Sequence, residues 1–332
     1  KAILRVALPV PLDRLFDYAS NGVDAAPGAR VLVPFGRREA VGIAIEYADE
    51  TDLPADRLKP ATRALDAAPL LDAELMSTLR RAARYYQHPL GEVLHAALPA
   101  ALRSSRALPA PLADQLALTA EGEAARDDPK RRRGTRIDAL LALLASGPVA
   151  MSELDTVLPG WRPASLGGIK RRWIERATGA ASARSAIAGP PLNDAQRAAA
   201  DAIVASRGFA PFVLDGVTGS GKTEVYLAAI AACLARGEQA LVLLPEIALT
   251  PQTLRRFRER LGVDVAVLHS GLGDIERARA WLAAASGEAK VIVGTRSAVF
   301  VPLARAGIVV VDEEHDASDK QQEGFHYHAR DL

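Results

Sequence analysis

Gly216-Val217-Thr218-Gly219-Ser220-Gly221-Lys222-Thr223 is the stretch that decides the fold. Its glycines let the backbone curl so that successive N–H groups face phosphate oxygens. Lys222 brings a point charge for the β/γ-phosphates, and Thr223 offers a hydroxyl to Mg²⁺. The flanks fit a strand–loop–helix unit. Phe212-Val213-Leu214 reads as a short apolar strand, and Val225 to Ile230 has helical spacing. Gly216, Thr218, Gly219, Ser220, Gly221, Lys222 and Thr223 are therefore the candidate nucleotide cradle.

An acidic partner lies downstream. Ile308-Val309-Val310-Val311 reads as a strand buried on both faces, and it ends in Asp312-Glu313-Glu314-His315. Open α/β sheets place their ligands at the carboxyl ends of strands. Asp312 is the second candidate Mg²⁺ holder. Glu313 is the candidate to orient or deprotonate an attacking water, since phosphoryl transfer needs positioning more than covalent chemistry. Lys222, Asp312 and Glu313 form the candidate catalytic set.

From Leu192 onward helices and strands alternate: helices at Asp194–Ser206, 223–235, Gln252–Leu261 and Asp274–Ser286, strands at 212–214, Ala240–Leu244, Val265–Leu268, Val291–Val293 and 308–311. That order implies a parallel sheet with helices on both faces. Three polar loops follow successive strands: Pro245 to Gln252 with Thr250, His269-Ser270-Gly271, and Gly294-Thr295-Arg296-Ser297. They supply donors suited to a phosphodiester track. Gln196 opens the first helix and can pair with both a donor and an acceptor on an adenine edge. Phe325 and Tyr327, in the polar Gly-bearing loop Lys320–Asp331, are candidates to stack on bases while Lys320 and Arg330 hold phosphate.

Residues 1–70 carry strand-period runs punctuated by Pro and Gly, then a helix at Leu71–Tyr86 and a tail near Leu94–Leu102. They read as a small β-barrel-like domain closed by the helix. Residues 106–128 read as a connector. A basic cluster, Lys130 to Arg133, then precedes helices at Ile137–Leu144, Ser152–Leu158 and Ala164–Ile174, with Ser152 as N-cap. This suits a winged-helix module. Lys130 to Arg176 holds ten Lys/Arg against four acids, which fits either a solvated basic spacer or contact with a DNA backbone. Residues 179–191 form a linker. The net charge of +1 over 332 residues says nothing of partners. The single cysteine, Cys233, excludes a disulfide framework and a cysteine-rich zinc site in this chain. With no leader and no apolar run long enough to span a bilayer, a cytoplasmic protein is the expectation.

Together, Gly216–Glu224, Leu244–Gln252, His269–Leu272, Gly294–Ser297, Asp312–Asp316 and Lys320–Asp331 resemble the PriA family of primosomal replication-restart helicases, in superfamily 2. The resemblance extends to Val6–Leu12, Phe16-Asp17-Tyr18, Val33–Gly36, Tyr85-Tyr86 and His88–Gly91, and it is weakest over 100–190. It implies a front domain that binds the 3′ end of the nascent leading strand, a winged helix, and RecA-like lobes that use ATP and Mg²⁺ to unwind DNA 3′ to 5′. The implied partners are forked and single-stranded DNA, single-stranded-DNA-binding protein and the proteins that reload the replicative helicase. Carried over, Phe16, Asp17, Tyr18, Gly36 and Lys59 form the 3′-end pocket, and Glu224 joins the nucleotide residues. A carboxylate accepts a hydrogen bond from a terminal 3′-OH and repels a 3′-phosphate. Phe16 and Tyr18 equally suit the packing of a strand.

The chain departs from the family pattern in three respects. It stops at Leu332, before the second lobe with its arginine finger and before the zinc-binding cysteines, so weak ATP binding and poor hydrolysis are expected of it alone. His326 stands where a basic residue such as Arg is expected. Two other readings stay open: another superfamily 2 translocase, and a DNA-structure-binding scaffold with a vestigial nucleotide site.

Overall fold

The structure is a computed structural model, and it describes residues 3–109, 115–128, 134–145, 149–151, 154, 157–177, 186–217, 219–316 and 320–332. The chain divides into two compact units. One is discontinuous, Lys1–Pro109 with Ser185–Leu332, and the other is Ala110–Arg184.

In the first unit, the front segment builds β1 (Ile3–Ala7), β2 (Phe16–Ala19), β3 (Arg30–Phe35), β4 (Arg38–Ala48) and β5 (Arg63–Ala64). They form one antiparallel sheet in the order β2-β1-β4-β3-β5. Alternate residues of these strands point to one face, where Leu4, Val6, Tyr18, Val31, Val33 and Ala44 make a core. The two sheet edges approach each other: the Ala19 N–H donates to the Lys59 carbonyl and the Ala61 N–H to the Ala19 carbonyl, both at 2.9 Å. The barrel-like expectation thus has a physical counterpart in this edge bridge.

Ile43 and Ile45, on the other face of β4, share a core with Leu75, Met76 and Leu79 of α1 (Ala73–Tyr85). Asp72 caps α1, its carboxylate accepting the Leu75 N–H at 2.7 Å. The expected tail is instead a helix, α2 (Leu90–Ala97), followed by a 3₁₀ turn at Ala100–Arg103. Leu94 and Leu102 are its fully buried anchors. Arg30, completely buried, pairs with Asp66 at 2.7 Å and donates to the Leu102 and Ser104 carbonyls at 2.9 Å each. It thereby ties the turn to the sheet.

The second unit contains β6 (Gln115–Leu118), α3 (Ala120–Asp127), α4 (Arg136–Leu144), β7 (Val149–Ala150), α5 (Trp161–Lys170) and β8 (Ile174–Ala177). Its sheet order is β7-β6-β8, packed on Leu116, Leu140, Leu141, Leu144, Leu154, Trp161 and Ile174. Two expectations are corrected. The stretch read as a connector holds β6 and α3. The helix read as running to Ile174 ends at Lys170, because the chain turns through Arg172 in the left-handed region (φ 59°) and Ile174 pairs with Leu118. Lys130 to Arg133 and Ser152 lie outside the described residues.

The remainder of the first unit is α/β, with α6 (Asp194–Ala205), α7 (Lys222–Ala235), β9 (Gln239–Leu243), α8 (Pro251–Leu261), β10 (Val265–Leu268), α9 (Asp274–Ala285), β11 (Val291–Gly294) and β12 (Ala306–Val311). The four strands are parallel in the order β10-β11-β9-β12. β9 is buried throughout. Ala240 and Val242 pack with Tyr226, Leu227 and Ile230 of α7 and Phe257 of α8. Leu241 and Leu243 join the opposite core with Ala278 and Trp281 of α9, and that core also takes in Leu79, Val93 and Leu94 of the front segment.

The strand expected at 212–214 does not form. Val213 is 94% exposed, and β12 stands at the sheet edge with Val309 55% exposed. The run is short and follows Pro211, which has no N–H for a ladder.

Candidate nucleotide and nucleic-acid site

The parallel register sets the site. Leu268 pairs with Gly294, Gly294 with Leu243, and Leu243 with Val311, so these four strand ends form one row. His269, Thr295 and Asp312, which follow three of them, therefore leave the sheet along one edge. Sequence spacing placed these loops in series, and the register provides the physical reason.

The glycine loop borders α7. Gly219 and Gly221 have φ of 82° and 84°, a conformation that side chains rarely adopt. A Cβ on Gly221 would come within 2.4 Å of Gln196 Nε2, and one on Gly216 within 2.6 Å of Ser220 Oγ. A side chain at either position would have to displace Gln196 or Ser220. Lys222 turns inward, its ammonium donating to the Gly216 carbonyl at 2.6 Å. Thr218 lies outside the described residues.

Gln196 sits against this loop, its Nε2 donating to the Ser220 carbonyl at 2.8 Å. Its Oε1 accepts the Asn193 N–H at 3.0 Å, and its own N–H donates to Asn193 Oδ1 at 2.9 Å. This reciprocal cap fixes the start of α6. The amide group expected to read a base is thus bound at both ends to protein.

Glu224 is placed differently from the reading that put it with the nucleotide. Its carboxylate is buried and turned away, 2.5 Å from both Arg256 Nη2 and Arg260 Nη1 on α8. Burial alone would raise its pKa, but the two guanidiniums outweigh burial and hold it below the ordinary carboxylate value. The group clamps α7 to α8.

Sequence reasoning missed Tyr226. Its hydroxyl donates to Asp312 Oδ2 at 3.2 Å. The ring is stacked on Phe257, with centroids 6.1 Å apart. The signal available in the sequence was position alone: Tyr226 lies one turn after Thr223, on the same helix face. Asp312 Oδ1 accepts the Glu313 N–H at 3.1 Å. Glu313 adopts φ 51°, a left-handed conformation uncommon for a residue with a side chain, at the end of β12.

The other loop residues are bonded within their own loop or to a neighbouring one. Thr250 caps α8, its hydroxyl accepting the Thr253 N–H at 3.2 Å. His269 Nδ1 accepts the Gly271 N–H at 3.0 Å. Arg296 donates to the Lys320 carbonyl at 3.2 Å, and Arg330 is paired with Glu314.

Phe325 and Tyr327 require a correction. Both are 4% exposed. Phe325 packs edge-on against Tyr86 (5.7 Å) and beside His88 (5.3 Å), and Tyr327 packs against Phe300 (4.6 Å). The Tyr86 hydroxyl donates to Asp331 Oδ2 at 3.2 Å and accepts the His328 N–H at 3.1 Å. Apolar burial against front-segment aromatics outcompetes exposure here, so neither ring presents a face to a base in this arrangement.

In the front segment, β2 alternates. Tyr18 is buried, its hydroxyl donating to the Pro34 carbonyl at 3.2 Å; Phe16, on the same face, meets Phe35 edge-on at 5.4 Å. Tyr18 is therefore a core residue. Asp17 points to the other face, accepting from Thr51 Oγ1 at 2.6 Å and lying 3.5 Å from Arg5 Nε. Gly36 makes the β3–β4 turn next to Phe35 with φ 60°. Lys59 lies beside the end of β2 and has an exposed side chain. The structure gathers Phe16, Phe35 and Gly36 and places Asp17 on the reverse side of the strand.

Among the described residues no helix is long and apolar enough to cross a membrane. Two family models match parts of the chain. A family model described as 3′DNA-binding domain (3′BD) matches residues 5–99, and one described as DEAD/DEAH box helicase matches residues 193–332. The chain is 39% identical to replication restart protein PriA of Haemophilus influenzae over 340 residues, covering 99% of this chain and 46% of that protein. It is 33% identical to the protein of that name from Treponema pallidum over 338 residues, covering 99% and 41%. A Bacillus subtilis protein of the same name is 48% identical over 145 residues, 43% of this chain and 18% of that protein. The chain spans less than half the length of these relatives.

Proposed function

Since this chain is a relative of the PriA replication restart proteins over nearly its whole length, we propose that it carries the fork-reading and ATP-binding parts of an ATP-dependent 3′-to-5′ DNA helicase that restarts replication at stalled forks. The observation that carries the reading is the reach of the helix that follows the glycine loop, through the Tyr226 hydroxyl, to Asp312 at the end of a parallel sheet whose neighbouring strand ends lie in register. On nucleotide entry, the Lys222 ammonium leaves the Gly216 carbonyl for a β/γ-phosphate oxygen, while Gly219 to Thr223 donate backbone N–H groups to the phosphates. Thr223 and Asp312 are the oxygen donors that would hold a metal, and Tyr226, on the same helix as Thr223, bonds the Asp312 carboxylate. When bound there, Mg²⁺ neutralises charge on the phosphates. Glu313, at the end of β12, orients the attacking water.

In this reading the front domain holds a 3′-terminal nucleotide at the edge strand β2, with Phe16 and Phe35 offering aromatic surface on one face, Asp17 taking the terminal hydroxyl from the other, and Gly36 and Lys59 nearby. Residues 110–184 act as a winged-helix-type module on duplex DNA. Single-stranded-DNA-binding protein and the loaders of the replicative helicase are the protein partners.

The test is fluorescence anisotropy of this chain on forked DNA ending at the branch in a 3′-OH or a 3′-phosphate, at fixed salt. The 3′-OH fork should bind more tightly, and Asp17→Ala should abolish the preference. Equal binding to both forks by the unaltered chain refutes the fork-end reading.

A further inference from the structure

One side chain of the helix that follows the nucleotide loop, Tyr226, reaches Asp312 at the end of β12. Tyr226 is buried, and its ring is fixed against Phe257 at an interplanar angle of 26°. Helical side chains point toward the helix N-terminus, so a tyrosine one turn beyond Thr223 reaches back to the level of the loop. Its hydroxyl donates to Asp312 Oδ2 at 3.2 Å. With Tyr226 on Oδ2 and the Glu313 N–H on Oδ1, both oxygens of the Asp312 carboxylate are held. Each oxygen retains a further lone pair, and the carboxylate is fixed in rotation with those lone pairs free. Metal-binding carboxylates are oriented by hydrogen bonds of this kind.

We propose that Tyr226 is a positioning residue for the divalent cation of the nucleotide site: its hydroxyl sets the rotation of Asp312, and so tunes metal affinity without touching metal or nucleotide. The proposal rests on the nucleotide-site reading above. A hydroxyl used only for packing would have no reason to meet the Asp312 carboxylate. A phenylalanine would fill the same space against Phe257 and Ile230.

The experiment is a titration of the 332-residue chain with Mn²⁺ in the presence of saturating ADP, followed by electron paramagnetic resonance of free Mn²⁺. The unaltered chain is compared with Tyr226→Phe. ADP affinity in EDTA is measured alongside, and it reports whether the loop is intact. Losing an orienting partner of a metal ligand lowers metal affinity by about 10- to 100-fold. Because Asp312 keeps its bond from Glu313, the lower end, roughly tenfold, is expected. ADP affinity without metal should change less than about twofold, since the hydroxyl makes no contact with phosphate in this reading. In an Asp312→Ala background, Tyr226→Phe should have no further effect on Mn²⁺.

Unchanged or tighter Mn²⁺ binding in Tyr226→Phe overturns the proposal. So does a tenfold loss that persists when Asp312 is already alanine, because the hydroxyl would then act by another route. A parallel loss of ADP affinity in EDTA also overturns it, marking Tyr226 as a structural support of the loop. Failure of the unaltered chain to bind ADP at all is a different outcome, and it refutes the nucleotide-site reading itself.

Discussion

Glu224→Gln separates a nucleotide contact from a clamp. The Glu224 side chain is 6% exposed, Arg260 20% and Arg256 50%. Removing one member of a buried ion pair costs about 3–5 kcal/mol when the abandoned charge stays dry. Here Arg256 regains water readily and Arg260 partly, so the cost falls to about 2 kcal/mol. Glutamine keeps the shape and one acceptor, but its amide N–H₂ then faces the second guanidinium. The assay pairs urea denaturation, followed by far-UV circular dichroism, with ADP binding at low urea. The expected outcome is a lower midpoint for the first unit with ADP affinity within about threefold of the unaltered chain. Arg260→Met combined with Glu224→Leu should recover part of the loss, as apolar replacement of a buried pair often does. A Gln variant with unchanged stability and a tenfold loss of ADP affinity would refute the clamp and return Glu224 to the nucleotide.

Asp66→Ala should destabilise the first unit by about 3–5 kcal/mol, because Arg30 is left dry and unpaired, and a urea midpoint reads it directly. Burial, helped by the nearby Arg103 guanidinium, pushes His95 down from 6.5 to about 4. The unfolded chain therefore binds the extra proton between those values, and stability should fall as pH drops from about 6.5 toward 4. A His95→Gln variant should show a shallower pH dependence in thermal denaturation. Gly221→Ala places a Cβ against Gln196 at φ 84°, so ADP affinity should fall at least about tenfold, measured by calorimetry, with fork binding retained. Lys222→Ala in a protein carrying the complete helicase should abolish ATP hydrolysis and leave fork affinity within about threefold, read by phosphate release and anisotropy.

The features legible in the sequence were local ones. The glycine loop, the apolar run before Asp312 and the helix–strand alternation are written within a few residues of one another, and the parallel sheet follows from them. The β-run with a closing helix near the front was legible for the same reason. The misplaced features depend on distant partners. Glu224 meets arginines 32 and 36 positions away, and Tyr226 meets Asp312 86 positions away. Phe325 and Tyr327 looked like solvent-facing rings because their neighbours in sequence are polar; their packing partners Tyr86 and His88 lie in a different segment. Asp17 was grouped with Phe16 and Tyr18 by adjacency, although a strand sends adjacent side chains to opposite faces. Residues 212–214 had an apolar pattern but too short a run after Pro211 to complete a ladder.

The first unit is discontinuous, and one core runs from Leu75 and Leu94 to Trp281 and Phe325. This has a practical consequence for dissecting the chain. Boundaries drawn by homology, at 99 and 193, suggest two modules that can be expressed apart. A cut there would divide that core and leave each half with a sticky apolar face, an invitation to aggregation. The excision the architecture favours is of the intervening segment, 110–184, replaced by a short flexible tether, which leaves the shared core whole.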